Sequence, residues 1–405
     1  MAIVDISSPD IYVNGVPHDR FQLLRQEEPL SWHDEAGGAG FWALVRHADV
    51  AEAGKDWRRF SSARGSTLEE LDDEQLLVRR SMLDLDPPAH TRLRRLIGPS
   101  FTPKVIRAYE AAIRLMTREV VEAAVVRGVF DLVEEISKPV PVLWLCEHLG
   151  LATTDAALLT ELTDRMLGQD DPEYREEGAD PGTVRLAPFG TMAGIESYEY
   201  AARLAADRRA RPTDDVLSQI LFAEPDGEPL TDAEFQNFFS VLMIAGQEAS
   251  RHSVSHGVLL LKDHPGALAD LLEDPEGLME TATEEIIRWA SPIYQFRRTA
   301  SEDIPLHGRV IRRGDKVTLW YVSANFDESV IPDPHRFDIR RRPNDHLSFG
   351  RGPHMCLGLH LARLQVRITF EELLPYLGRM AISGPVERLR SNFIHGIKHL
   401  PVAMT

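Results

Sequence analysis

The stretch Phe349–Gly358, FGRGPHMCLG, is the most informative part of this sequence. It places Cys356 in a short loop with glycines at positions 350, 352 and 358, and an apolar helical run, LHLARLQVRITFEELLPYL, follows directly. Glycine permits the sharp turns that such a loop requires. Backbone N–H groups at the start of a helix favour the ionised form of a nearby thiol. The pattern therefore predicts a cysteine thiolate that binds a metal centre; the alternative is a structural cysteine buried in a turn.

The pattern FGxGxHxCxG resembles the cysteine loop of cytochromes P450. In that family the cysteine binds the iron of haem b. The resemblance implies that Cys356 is the metal ligand, that Phe349 packs near its sulfur and that Gly358 belongs to the cofactor site. His354 would face an edge of the haem.

The composition fits a globular protein from a reducing compartment. The chain has 405 residues, 43% of them hydrophobic, and its only two cysteines, Cys146 and Cys356, do not form a disulfide framework. The formal net charge of −18 disfavours a general binder of nucleic acid or anionic membrane. The residues at the start of the given sequence lack a basic segment followed by a long apolar run, and we therefore expect no signal peptide or membrane anchor. We expect a cytoplasmic monomer of the bacterial P450 type, folded as one domain over residues 1–405.

Hydrophobic spacing predicts the fold class. Most of the chain after Thr91 has the apolar periodicity of helices, and the run over residues 233–263 predicts one long core helix. Residues 41–45, FWALV, and 294–300, YQFRRTA, have the composition of strands. The prediction is a mainly α protein with small β-sheets. The resemblance implies the P450 fold, with haem between the long central helix and the helix after the cysteine loop.

Three charged residues resemble the Glu-Arg-Arg network of P450 proteins. Glu285 and Arg288 lie three residues apart on one helix, and Arg336 follows in the loop DPHRF. A buried carboxylate shared by two guanidinium groups would stabilise the loop that carries Cys356. The alternative for Glu285 and Arg288 is a solvated pair on a helix surface.

Four basic residues are candidates for binding the two haem carboxylates. His90 and Arg94 lie one turn apart on a predicted helix, and the resemblance adds Arg298 and His354. Buried carboxylates require such partners. Neighbouring strand residues point to opposite faces, and Arg298 is preferred over Arg297 on that ground.

The long helix carries the segment Ala245-Gly246-Gln247-Glu248-Ala249-Ser250. The P450 family usually has Ala/Gly-Gly-x-Asp/Glu-Thr here. By resemblance, the small residues bring the helix close to the haem, and the acid and the threonine hydroxyl support proton delivery. Glu248 matches the acid, but Ala249 stands where the hydroxyl is expected.

This departure leaves several explanations open. Ser250 could supply the hydroxyl, although it is rotated by about 100° around the helix axis. The substrate or ordered water could supply it instead. The enzyme could also use hydrogen peroxide directly, assisted by Gln247 or Glu248. Alternatively, Glu248 pairs with His252, or the protein binds a ligand at its haem without turning it over.

The substrate is expected to be small and lipophilic. The phrases RWASPIYQFRRTA and FIHGIKHLPV resemble bacterial P450s that oxidise sterols, branched lipids and terpenoids, by hydroxylation or oxidative dealkylation. A hydroxylated or methoxylated aromatic, or an oxygen-rich natural product, is the alternative that Ala249 suits. The candidate pocket residues are apolar: Leu77, Met82, Met166, Phe189, Ile244, Ile293, Phe296, Phe393 and Ile394.

Arginines are concentrated around the cysteine loop despite the acidic whole. Residues 340–342 are all arginine, and the others are Arg92, Arg95, Arg351, Arg363 and Arg367. A positive surface there would attract an acidic electron donor. The resemblance implies a ferredoxin with an NAD(P)H-dependent ferredoxin reductase. A solvated charge run is the alternative.

Overall fold

The structure, a computed structural model, describes residues 4–35, 37–224 and 228–405. Helices dominate it, and the sheets are small, as the sequence predicts. The helices are α1 (His18–Glu27), α2 (His47–Lys55), α3 (Asp73–Val78), α4 (Ala89–Ile97), α5 (Pro103–Ala108), α6 (Glu110–Val125), α7 (Pro139–Leu149), α8 (Ala156–Leu167), α9 (Pro181–Val184), α10 (Met192–Ala210), α11 (Val216–Leu221), α12 (Asp232–Asp263), α13 (Pro265–Glu273), α14 (Pro275–Ala290), α15 (Tyr321–Ala324) and α16 (Leu359–Leu377).

Within the described residues the strands form four sheets, of which the largest has the order β1-β2-β8-β5-β3. The strands are β1 (Leu30–His33), β2 (Phe41–Leu44), β3 (Phe60–Ser61), β4 (Val129–Asp131), β5 (Gln295–Ala300), β6 (Ile304–Leu306), β7 (Arg309–Ile311), β8 (Lys316–Trp320), β9 (Met380–Ile382), β10 (Glu387–Arg388), β11 (Ile397–His399) and β12 (Pro401–Met404). Strand β2 pairs in parallel with β8, with Phe41 opposite Lys316. The largest sheet therefore joins the first part of the chain to the last third.

The long central helix predicted over residues 233–263 is confirmed as α12. Thr231 caps its start, and the Thr231 and Glu234 side chains form a reciprocal capping box. Its first half contributes Phe235 and Phe239 to one hydrophobic core, and its second half contributes Val258 to another. A helix that is apolar on several sides lies in the interior of a protein.

Helix α16 brings the cysteine loop next to α12. Leu361 and Leu364 are buried in the same core as the first half of α12. Val366 and Phe370 are buried with its second half. Helix α16, which begins directly after Gly358, is therefore packed along α12 through both hydrophobic cores. Among the described residues, no helix is long and apolar enough to cross a membrane.

Candidate active site

The cysteine loop is a tight turn that only glycine can complete. Gly350 and Gly352 have positive φ angles of 66° and 77°, a region that favours glycine. A Cβ on Gly352 would lie 2.2 Å from the backbone oxygen of Gly54, at the end of α2. The Cys356 N–H donates to the Phe349 carbonyl oxygen at 2.8 Å. The loop therefore packs against the end of α2 and leads directly into α16. Backbone contacts of Gly352 and Cys356 fix the position of the cysteine.

The electrostatic surroundings of Cys356 act in two directions. Burial raises the pKa of the Cys356 thiol, whereas the Gly358 N–H and the charges of Arg94 and Arg363 lower it. The ring of Phe349 is covered by the Arg363 guanidinium, which lies 4.5 Å from the ring centroid. A bound cation would add the strongest local charge and ionise the thiol. The site is thus built for a thiolate ligand, and burial keeps the thiol protonated without a metal.

The four basic groups that the sequence offers as partners for the haem carboxylates lie near one another, beside the cysteine loop. The rings of His90 and His354 lie 4.2 Å apart. Burial, together with Arg94, lowers the pKa of His90 to about 4, and burial, together with Arg298, lowers the pKa of His354 to about 2. In the described part of the chain, no carboxylate lies within 4 Å of Arg94 or Arg298, although burial lowers the pKa of Arg94. A half-buried Arg94 and a buried Arg298 with no carboxylate partner among the described residues fit a cofactor that carries two carboxylates, as haem does.

The middle of α12 presents an accessible face formed by Val241, Ile244, Ala245 and Ala249. Ala245 is exposed and the other three are half-buried, although residues on both sides of this face are buried. The spacing of three, four and eight residues places them on one side of the helix. Small side chains at 245 and 249 leave room beside the helix. This face therefore carries no hydroxyl and no charge.

Gly246 and Gln247 point away from the accessible face, contrary to the roles that the sequence suggested for them. A Cβ on Gly246 would lie 2.7 Å from a methyl carbon of Leu145, so this glycine lets α12 approach α7. The Gln247 amide donates to the Thr163 hydroxyl at 2.9 Å and accepts from the Thr160 hydroxyl at 3.2 Å, both on α8. Gln247 thus links two helices and is not directed at the candidate active site.

Glu248 is buried and engaged within α12. One carboxylate oxygen lies 2.6 Å from Nη2 of Arg251, and the other lies 3.3 Å from Nε2 of His252. The His252 pairing is the one that the sequence offered as the alternative to an active-site role. Ser250 is also buried, so its hydroxyl does not lie on the accessible face. Neither residue faces that side of α12 in this structure.

The predicted Glu-Arg-Arg network is present, but its third member is Arg341 and the prediction of Arg336 was wrong. Glu285 accepts from Arg288 Nε at 2.9 Å and from Arg341 Nε at 3.2 Å. Arg336 is exposed, and only its carbonyl oxygen takes part, by accepting from Arg341 at 2.8 Å. Arg288 also donates to the carbonyl oxygen of Asn325. Sequence alone did not separate these arginines, because the choice depends on how the loop before Leu347 folds.

The network extends directly to the cysteine loop. The Asn325 side-chain oxygen accepts from the Leu347 N–H at 2.6 Å, and its amide donates to the Ser348 hydroxyl at 2.8 Å. Ser348 in turn donates to the carbonyl oxygen of Ile287 on α14. The charged network therefore fixes the chain immediately before Phe349.

The candidate pocket residues separate into three groups. Phe296 and Phe393 are half-buried with their rings 5.4 Å apart, and Ile293 pairs with Ile394 in an isolated bridge. Ile244 lies on the accessible face of α12. Ile244 and the half-buried Phe189 both pack against the hydrophobic core that contains the first half of α12. Met82 and Met166 are buried in that same core, and Leu77 is 69% exposed on α3.

Three residues near the cysteine loop had no recognisable sequence signal. Gly54 contacts Gly352, the Ser62 hydroxyl lies 3.3 Å from His354, and Tyr321 lies beside Gly350. They come from separate parts of the chain, and only the fold brings them together.

Comparison with known proteins identifies the family. The family model for cytochrome P450 matches residues 198–377. Linalool 8-monooxygenase of Pseudomonas putida is 37% identical over 99% of this chain and 98% of its own, and methyl-branched lipid omega-hydroxylase of Mycobacterium bovis is 38% identical over 99% and 95%. A solved Mycobacterium marinum cytochrome P450, in complex with pseudoionone, superposes with a TM-score of 0.91 at 36% identity and covers 99% of this chain and 98% of its own.

The fold and the cysteine loop define a haem-thiolate protein. The chain belongs to the cytochrome P450 family. It is a monooxygenase of that family, an oxidoreductase whose cofactor is haem b.

Proposed function

We propose that this P450, acting as one unit over residues 1–405, oxidises a small neutral lipophile of the terpenoid, branched-lipid or sterol class. The observation that carries the proposal is the accessible face of α12, which is formed by the apolar side chains of Val241, Ile244, Ala245 and Ala249. Two further candidate pocket residues, Phe296 and Phe393, are half-buried with their rings 5.4 Å apart. Apolar walls with few polar groups bind small hydrophobic ligands. Relatives named for linalool, methyl-branched lipids and steroids support the same class.

The residues beside the cysteine loop are proposed to hold the cofactor. Cys356 would bind the iron, while His90, Arg94, Arg298 and His354 would pair with the haem carboxylates. Phe349 and Gly358 would shield and orient the thiolate, and Ala245 would leave space next to the porphyrin. When bound, haem supplies the activation and transfer of one oxygen atom from dioxygen.

Protons are proposed to reach the pocket from two sources. Glu248 would hold a proton on a carboxylate oxygen, and it reaches the accessible face only after leaving Arg251 and His252. Because Ala249 carries no hydroxyl, a hydroxyl of the substrate or an ordered water would complete the path. General acid catalysis requires such a group within hydrogen-bond distance of the reacting atom.

Electrons are proposed to come from a ferredoxin and its NAD(P)H-dependent reductase. Most arginines around the cysteine loop are already paired: Arg363 lies 2.6 Å from Glu284 and Arg367 lies 2.9 Å from Glu110. Arg341 is buried with Glu285. Docking would thus depend on exchanging these pairs for acids of the donor, and we expect it to weaken with salt.

The first experiment is a titration of the haem absorption band with four ligand groups: sterols, fatty acids, terpenoids and small methoxylated aromatics. A low-to-high-spin shift with terpenoids, sterols or fatty acids is expected, because an apolar pocket would bind these ligands close to the haem. A shift with the aromatics alone would contradict the proposed substrate class. Product formation is then compared between the ferredoxin system and hydrogen peroxide.

A second candidate is a peroxide-dependent oxygenase. The specific observation in its favour is that the accessible face carries neither a hydroxyl nor an acid. It predicts product with peroxide alone at a rate at least equal to that with the ferredoxin system.

A further inference from the structure

A buried group of charges lies behind Glu248, and we call it the Arg251 cluster. It consists of Asp164 on α8, Glu248, Arg251 and His252 on α12, and Lys138 at the start of α7. The side chains of Asp164, Glu248, Arg251 and His252 are each at most 7% exposed. Such groups are stable in a protein interior only while each charge keeps a partner.

The two carboxylates of this cluster share a single nitrogen atom. Nη2 of Arg251 lies 2.6 Å from Glu248 and 2.7 Å from Asp164. The other guanidinium nitrogens, Nε and Nη1, are buried and have no hydrogen-bond partner among the described residues. Arg251 therefore has unused donors with which it could bind either carboxylate more fully.

Asp164 is held in place independently of Glu248. Lys138 Nζ lies 3.0 Å from Asp164 and 2.5 Å from Glu134, whose side chain is 45% exposed. Burial acts to raise the pKa of Asp164, but Arg251 and Lys138 outweigh it, and the pKa is lowered. Asp164 thus remains an anion beside Arg251 whatever Glu248 does.

We propose that Asp164 is a positioning residue for Glu248: it retains Arg251 whenever the Glu248 side chain turns towards the accessible face of α12. Without Asp164, that rotation would leave a buried guanidinium unpaired, which is strongly unfavourable. With Asp164, one ion pair persists on Arg251. This rests on the proposed function, in which Glu248 supplies protons to that face.

The arrangement also connects α8 with proton supply. Asp164 lies one residue after Thr163, whose hydroxyl accepts from Gln247 on α12. The contacts between α8 and α12 thereby keep Asp164 within reach of Arg251. A change that moves α8 should therefore alter how easily Glu248 leaves Arg251.

The test compares Asp164→Asn with Glu161→Gln, a matched loss of a carboxylate one turn earlier on α8, where Glu161 is 62% exposed. In the haem-loaded protein with the ferredoxin system, Asp164→Asn is expected to lower the fraction of electrons recovered in product about fivefold, with a matching rise in hydrogen peroxide. The solvent isotope effect on product formation should increase. Glu161→Gln should resemble the wild type, and Asp164→Glu should restore coupling to within twofold.

A structural readout accompanies the kinetics. The crystal structure of Asp164→Asn should show both Glu248 oxygens on Arg251, since the competing carboxylate is gone. The double variant Asp164→Asn with Glu248→Gln should be no less coupled than Glu248→Gln alone, because Asp164 acts through Glu248.

Two results would overturn the inference while leaving the proposed function intact. One is coupling and an isotope effect in Asp164→Asn equal to those of Glu161→Gln, even if the melting temperature falls. The other is a double variant in which the loss of coupling equals the product of the losses in Asp164→Asn and Glu248→Gln measured separately. If the wild-type protein forms no oxidised product with either electron source, the proposed function fails, and the inference fails with it.

Discussion

At the scale of single residues, the site is notable for charges that lack partners. Arg94 is half-buried without a carboxylate within 4 Å in the described part of the chain, and burial lowers its pKa. A protein does not normally retain such a cation, since its desolvation is uncompensated. The arrangement makes sense when the missing anion is part of a cofactor.

Replacing Arg94 should therefore weaken haem binding in the haem-loaded protein without destabilising the haem-free protein. We expect Arg94→Leu to weaken haem retention about tenfold, because a hydrogen bond to a charged group contributes roughly 1.5–3 kcal/mol. Haem transfer to apomyoglobin measures this. In the haem-free protein the same change should leave the melting temperature unchanged or raise it.

The exposed neighbour provides the control. Arg95→Leu, on the outer side of α4, should retain haem as the wild type does. Equal haem loss in both variants would show that Arg94 contributes only to the overall positive charge near the site and makes no specific contact with haem.

The missing hydroxyl at Ala249 gives a second prediction at this scale. On a substrate without a hydroxyl, Ala249→Thr should raise the fraction of electrons recovered in product severalfold, because it restores a hydroxyl on the accessible face. On a substrate that carries its own hydroxyl, no gain is expected. Ala249→Val has nearly the same shape without the hydroxyl, and a gain with valine would attribute the effect to packing.

At the scale of elements, sequence reasoning succeeded where a pattern is local. The length of α12 follows from its apolar periodicity, and the turn at Gly352 follows from the glycines of the cysteine loop. It failed where a contact depends on the path of a loop. Arg336 and Arg341 lie five residues apart in one irregular segment, and no periodicity indicates which of them turns inward.

The assignment of Arg341, in place of Arg336, as the partner of Glu285 can be tested by mutating each arginine. Arg341→Ala removes one partner of buried Glu285 and should lower the free energy of unfolding by about 3–5 kcal/mol. Arg336→Ala is exposed and should change it by no more than about 0.5 kcal/mol. Denaturant unfolding followed by circular dichroism measures both values. A larger effect of Arg336→Ala would restore the sequence-based assignment.

At the scale of the whole molecule, buried histidines predict loss of stability in acid. His148 stacks on Trp144 at 4.5 Å, and both of its ring nitrogens are buried without a hydrogen-bond partner among the described residues. Burial lowers the pKa of His148 to about 4. The unfolded chain binds this proton near pH 6.5, so the stability that His148 contributes is present above pH 6.5 and is lost as pH falls towards 4. A lowering of this size corresponds to about 3 kcal/mol.

His148→Phe should remove this acid sensitivity while keeping the aromatic stack. We expect its stability advantage over the wild type, measured by urea unfolding, to grow between pH 7.5 and pH 5. His399 provides a control of opposite sign: burial would lower its pKa, but Asp131 and Glu173 raise it. That contribution is present below pH 6.5 and is lost as pH rises, so His399→Gln should be most destabilising in acid. A pH-independent difference for His148→Phe would contradict the prediction.

The pairing of β2 with β8 has a consequence for how the protein is made. Phe41 leaves the ribosome early, but its partner Lys316 is translated only after most of the helices. Until then, one edge of β2 has no strand to pair with, and open edges favour aggregation. The cysteine loop is translated later still and must find Gly54. The nascent chain thus cannot capture its cofactor through Cys356 until synthesis is nearly over.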